Sequence, residues 1–175
     1  MFDRLGSFPN NQRVPERSHA SPRTGPPTLE EQAYIVLQRS ADRLQARFAR
    51  WLKPSGLSPT QYNALRILRG AGGEQGLPCS EIGERMITRD PDITRLVDRL
   101  AKRGLVTRSH DKKDRRVVRA TITAAGLEQL RELDAPLQEF LRGLLGHMDE
   151  ARLRQLTDLL ENAAPEQAPA SESCP

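Results

Sequence analysis

Aromatic residues are scarce in this chain, at 4% of 175 residues. Large sandwich and barrel cores draw on aromatic and β-branched bulk, so the shortage points to leucine-rich helix packing. There are two cysteines, Cys79 and Cys174. They form neither a disulfide framework nor a metal-ligand spacing. The histidines His19, His110 and His147 are scattered, and no nucleophile motif or zinc pattern accompanies them. Residues 70–76 are glycine-rich but lack the Lys-Ser/Thr ending of a phosphate-binding P-loop. An enzyme is therefore not expected, nor is a cofactor or a metal. No apolar run approaches the roughly 18 residues of a membrane helix. The N-terminus also has no apolar signal-peptide core. The expected setting is soluble, reducing and cytoplasmic, without membrane contact.

Charge is plentiful, at 29% of residues, and the balance is basic, with a net of +4 and a pI near 9.5. Its distribution matters more than its total. Between Lys102 and Arg119 lie eight basic residues and two acids, a local net of +6, which leaves −2 for the rest of the chain. A basic segment of this kind suits a polyanionic partner.

Residues 1–27 are rich in proline and polar residues without periodicity, and read as a disordered tail. Residues 28–53 carry Leu29, Ala33, Val36, Leu37, Leu44 and Phe48 at helical spacing, with Thr28 as a cap and Pro54-Ser55-Gly56 as a stop. Ser58-Pro59-Thr60-Gln61 is a helix start with a capping box. A short helix over 77–86 follows a few extended residues, with Ser80 or Cys79 near its start. Asp90-Pro91 then reads as a cap and first position for a helix carrying Ile93, Leu96, Val97 and Leu100, closed by Gly104. The period switches to two over 106–109 and 117–122, two strands flanking the basic loop 110–116. Thr123 caps a final leucine-striped region that Pro136 should kink or split. Asp149 caps a last helix, and residues 164–175 read as a second disordered tail.

Two short helices joined by a turn and followed by a basic hairpin form a winged helix-turn-helix pattern. The expected class is mainly α with a small β-hairpin wing, with residues 54–122 as the DNA-binding part. A duplex major groove admits one helix. On the helix from Asp90, the residues Asp92, Arg95, Arg99 and Lys102 point away from the apolar face, with Thr94 at its margin. Arg95 is the candidate base reader, because a guanidinium can bond guanine O6 and N7 together. Arg89 and Thr94 are secondary candidates. Arg99 and Lys102 lie further along and suit phosphate. Lys112, Lys113, Arg115 and Arg116 crowd the loop, where double-stranded DNA would relieve their repulsion. Asp111 and Asp114 should hold the loop by pairing with neighbouring basic side chains or with backbone N–H groups.

The runs Leu57-Ser58-Pro59-Thr60-Gln61-Tyr62-Asn63-Ala64-Leu65, Ile93-Thr94-Arg95-Leu96-Val97-Asp98-Arg99-Leu100-Ala101-Lys102-Arg103-Gly104-Leu105-Val106 and Asp111-Lys112-Lys113-Asp114-Arg115-Arg116 resemble the MarR family of bacterial transcriptional regulators. Many members carry arginine where Lys113 stands, and lysine supplies the charge without the planar fork. The resemblance implies a homodimer whose helical dimerisation arms are residues 28–53 and 123–163, reading a palindromic operator, in most cases as a repressor. Independently, the final leucine stripe is long for what the rest of the chain can bury. The resemblance also implies a small aromatic or phenolic effector, for which Phe48, Trp51 and Tyr62 are nearby candidates. One branch of the family senses peroxides through a cysteine in the first helix, where this chain has none; Cys79 is expected to be buried as a small hydrophobe. The competing reading is a winged-helix module for protein contact or dimerisation without sequence-specific DNA binding.

Overall fold

The structure, a computed structural model, describes residues 26–72, 75–87, 92–111 and 114–163. The two expected tails lie outside the described residues, apart from Pro26 and Pro27. The chain divides into two units, Met1–Ser40 and Ala41–Pro175.

In the first unit the described residues lead into helix α1 (Leu29–Leu52). Thr28 opens it with a reciprocal cap. Its hydroxyl accepts from the Glu31 N–H at 3.3 Å, and the Glu31 carboxylate accepts from the Thr28 N–H at 3.0 Å. Leu29, Tyr34 and Val36 are all more than 60% exposed, so the apolar positions of this stretch face solvent.

In the second unit α1 runs on to Leu52 and ends in a single 3-10 turn, Lys53–Ser55, closed by Gly56. Helix α2 (Pro59–Ala71) starts at the expected capping box of Ser58 and Gln61. Strand β1 (Leu77–Pro78), helix α3 (Cys79–Arg85) and helix α4 (Ile93–Lys102) follow. Strands β2 (Val106–His110) and β3 (Val118–Ile122) form the hairpin, and helices α5 (Ala124–Leu145) and α6 (Glu150–Ala163) complete the chain.

The class is mainly α with a small sheet, as expected, and β1 is the addition. The sheet has three antiparallel strands in the order β1-β3-β2, with Leu77 opposite Ala120 and Arg108 opposite Ala120 on the other side. A two-residue strand is too short to show a period, and Pro78 is tolerated because β1 is an edge. Gly76 precedes it with φ +59°, and a Cβ there would lie 2.1 Å from the Ala120 carbonyl oxygen. Only glycine allows this approach.

One further expectation needs correction, at the cap of α4, and the expectation of a kink or a split at Pro136 loses its second alternative. Asp90 and Pro91 lie outside the described residues, and the cap of α4 is Asp92, whose side chain accepts from the Arg95 N–H. The apolar stripe begins at Ile93, so the cap that serves it must stand immediately before. Helix α5 passes through Pro136 without being split. Pro136 and Glu132 are both exposed, so the carbonyl that loses its partner can bond water.

The core gathers Leu52, Leu65, Leu68, Ile82, Leu96, Val97, Leu100 and Leu130 between α2, α3, α4, α5 and the sheet. Helix α2 is clamped to α5 by a two-pronged pair, Arg69 to Asp134, at 2.8 and 3.0 Å. The Arg69 guanidinium holds the Asp134 carboxyl below the usual carboxylate range, and Asp134 in turn raises Arg69. A depressed carboxyl stabilises the fold above its unfolded titration and loses that contribution as pH falls through its folded one. Asp134→Asn should therefore lower stability by about 0.5–1 kcal/mol at neutral pH, the modest value reflecting solvent screening. Urea titrations of the two proteins should converge in acid below the ordinary carboxylate range.

Candidate nucleic-acid interface

Helix α4 is built to bury one face and present the other. Leu96, Val97 and Leu100 have no exposed surface, while Thr94, Arg95, Arg99 and Lys102 are exposed. Its C-terminus closes on Gly104, at φ +72°. The Gly104 N–H donates to the Ala101 carbonyl at 2.9 Å and the Leu105 N–H to the Leu100 carbonyl at 3.1 Å. This double closure turns the chain sharply out of the helix. It leads into Leu105 and Val106, both buried, so the end of α4 sets the start of the hairpin. The Asp98 carboxylate then pairs with the Arg108 guanidinium, tying α4 to β2.

The wing loop is held by the two acids expected to hold it, and by both expected means. Asp111 Oδ2 pairs with Arg119 at 3.1 Å, and Asp111 Oδ1 accepts from the Asp114 N–H at 3.3 Å. Asp114 Oδ1 accepts from the Arg116 N–H at 2.9 Å. Arg115 and Arg116 are exposed at the loop. Lys112, Lys113 and Arg89 lie outside the described residues.

Of the expected contact residues, the structure thus gathers Thr94, Arg95, Arg99 and Lys102 on α4 and Arg115 and Arg116 on the adjoining wing. Asp92 stands apart from this outward row as the helix cap. Three other cations of the basic segment serve the fold. Arg103 donates to the carbonyl of Gly56 at 2.7 Å, and Arg108 is taken by Asp98. Arg119 donates to the carbonyls of Gln75 and Gly76, each at 2.9 Å, as well as to Asp111. One side chain therefore fastens the wing loop to the turn before β1. Periodicity could not single it out, since Arg119 shares the strand parity of Val117 and Thr121; an acid across the hairpin was the one available hint.

A cleft of about 720 Å³ lies within the second unit, walled by Phe48, Met86, Ile87, Leu137, Phe140 and Leu144, with Asp42, Asn63 and Arg66 among its polar residues. Tyr62 also lines it. Its hydroxyl is buried with no hydrogen-bond partner among the described residues, and burial raises the phenol above its ordinary range. Phe48 and Tyr62 line this cleft. Trp51 does not; it stacks on Phe48 and Phe140 at 5.8 and 5.1 Å between ring centres. Cys79 is half-buried, and burial pushes its thiol up, away from the reactive thiolate.

A family model described as the MarR family matches residues 57–118, from the turn before α2 into β3. A MarR transcription factor from Planctomyces limnophilus is 38% identical with a TM-score of 0.61, covering 78% of this chain and 98% of that one. The chain belongs to the MarR family. The HTH-type transcriptional repressor MdtR of Bacillus subtilis (strain 168) is 28% identical, covering 74% of this chain and 82% of that one. MepR of S. aureus in complex with DNA has a TM-score of 0.65 over 74% of this chain and 94% of that one. At 18% identity it shares the fold alone. MarR-family proteins are DNA-binding transcriptional regulators rather than enzymes.

Two outcomes follow for this winged helix. Arg119→Met should release the loop from its anchor, so that the Asp114 and Arg116 amides lose protection in hydrogen exchange while those of α5 keep theirs. Tyr62→Phe removes a buried hydroxyl without a partner, and should leave thermal stability unchanged or raise it by about 1 kcal/mol. A clear loss of stability would mean that a bound water or ligand satisfies the hydroxyl.

Proposed function

We propose that the protein is a homodimeric repressor of the cytoplasm that binds a palindromic operator and releases it on binding a small aromatic or phenolic effector. The observation that carries this reading is the exposed row Arg95, Arg99 and Lys102 on a helix whose other face is wholly buried, beside a wing that exposes Arg115 and Arg116. The buried face holds the helix at a constant depth, and the pair of Asp98 and Arg108 keeps the wing beside it. Arg95 reads a base edge, with Thr94 and Arg89 as secondary readers. Arg99 and Lys102 bind phosphate, and the wing residues Lys112, Lys113, Arg115 and Arg116 neutralise the backbone next to it.

Residues 54–122 are the reading domain in this proposal, and residues 28–53 and 123–163 join two copies. The apolar positions of α1 and those of α6 favour it. Leu29, Val36, Leu156, Leu159 and Leu160 are all at least 36% exposed, and monomers rarely leave so many large apolar side chains in water. Twofold symmetry would set the two copies of α4 about one DNA turn, roughly 34 Å, apart. Repression follows the habit of relatives such as MdtR, which is named a repressor. The cleft suits an effector with a flat apolar body, since its walls are aromatic and leucine side chains and its polar groups are few. Such a ligand acts only by binding the two conformations unequally.

Selection from a random duplex library at moderate salt should enrich an inverted repeat with half-sites about one turn apart. Arg99→Ala and Lys102→Ala should each weaken binding to all sequences alike and reduce the salt slope by about 1. A folded protein that enriches nothing, even at low salt, would overturn the regulator reading in favour of a protein-interaction module.

A further inference from the structure

Asp92 is an acid placed where an acid is costly to DNA binding. It stands at the N-terminus of the reading helix, where partial positive charge would otherwise attract phosphate. Each of its oxygens meets Arg95. Oδ1 accepts from the Arg95 backbone N–H at 3.0 Å, and Oδ2 meets Arg95 Nε at 2.9 Å. The cap fixes the carboxylate, and the fixed carboxylate then holds the side chain it faces.

We infer that Asp92 is a positioning residue for base reading, holding the Arg95 guanidinium by Nε so that its far edge is offered to guanine. The inference rests on the proposed DNA-reading role of α4. Guanine presents O6 and N7 side by side and requires two donors at matched spacing. With Nε taken by Asp92, the two terminal nitrogens of Arg95 are the pair that remains, and among the described residues they have no other partner. An untethered arginine that is 79% exposed would sample many rotamers and be drawn to any phosphate. The carboxylate beside Arg95 offsets part of its attraction to phosphate and leaves its terminal nitrogens to discriminate by hydrogen bonds. Arg99 and Lys102 have no carboxylate partner among the described residues, and remain general phosphate binders.

Asp92→Asn separates the two roles. Asparagine caps a helix as well as aspartate does, but it replaces the charged oxygen that faces Nε with a neutral amide nitrogen. Site selection would be run in parallel on the full-length wild type, Asp92→Asn, Arg95→Ala and the double variant, with melting curves to confirm the folded state. We expect Arg95→Ala to abolish a guanine preference at one position of each half-site. Asp92→Asn should weaken the same preference about 3- to 10-fold, of the order that one well-placed base contact contributes. In the Arg95→Ala background it should change nothing further at that position. Affinity for non-specific duplex should stay equal or rise in Asp92→Asn, since a negative charge beside the phosphates is gone. Full retention of the guanine preference in Asp92→Asn would reduce Asp92 to a cap and overturn the inference. Equal relaxation in both backgrounds would overturn it too, by making Asp92 itself the base contact. A wild type that enriches an inverted repeat unaffected by Arg95→Ala would sink the inference and leave the regulator reading standing. No enrichment by the wild type would sink both.

Discussion

Leu96, Val97 and Leu100 hold one face of α4 entirely out of water, and the geometry of the winged helix hangs on that burial. Each such side chain contributes about 1.5–3 kcal/mol of transfer free energy, a large share of what a small domain has to spare. The helix therefore cannot roll, and its outward residues keep their direction. The same constraint passes along the chain. Gly104 turns it within one residue, and Leu105 and Val106 enter the same core. The wing thus inherits its position from the packing of the helix before it.

The basic segment divides its cations between two kinds of work. Arg103 and Arg119 place their forks on carbonyl oxygens of the turns at Gly56 and Gly76. Carbonyls are neutral acceptors, so Arg103 locks its turn and still adds to the positive field, whereas Arg119 also pairs with Asp111 and is neutralised there. Arg108 meets a carboxylate instead and is neutralised locally. Arg99, Lys102, Arg115 and Arg116 extend into water, where their mutual repulsion is unrelieved until an anion arrives. Stability and binding therefore draw on different members of one run of charge, and a count of basic residues merges the two.

Around the winged helix, the helices carry more apolar surface than one copy of the chain buries. Helix α5 turns Leu130, Leu137 and Leu144 inward, whereas Leu141 and the leucines at 156, 159 and 160 meet solvent. The cleft that holds Phe48, Phe140 and the unpartnered Tyr62 hydroxyl lies against that same α5 face. In the proposed dimer, the helix that joins the copies would also wall this cleft, so a ligand bound there would act directly on the spacing of the two copies.

The sequence by itself determined the helices, the hairpin and their order, but not β1. Caps at Thr28, Ser58, Thr123 and Asp149, and the closing glycine at 104, are local chemistry acting within three or four residues. The buried and exposed faces of α4 were legible for the same reason, since a 3.6-residue period assigns them before any packing. What only the tertiary structure decided is which long-range partner each polar side chain takes. Arg119 reaches back more than forty positions to the carbonyls before β1, and β1 is a strand only because β3 lies beside it. The α4 cap lies between these extremes: a capping aspartate was legible, but the residue that caps Ile93–Lys102 is Asp92. Local rules act through the backbone a few bonds away, whereas pairing across the fold depends on which surfaces the core brings together, and no spacing along the chain encodes that distance.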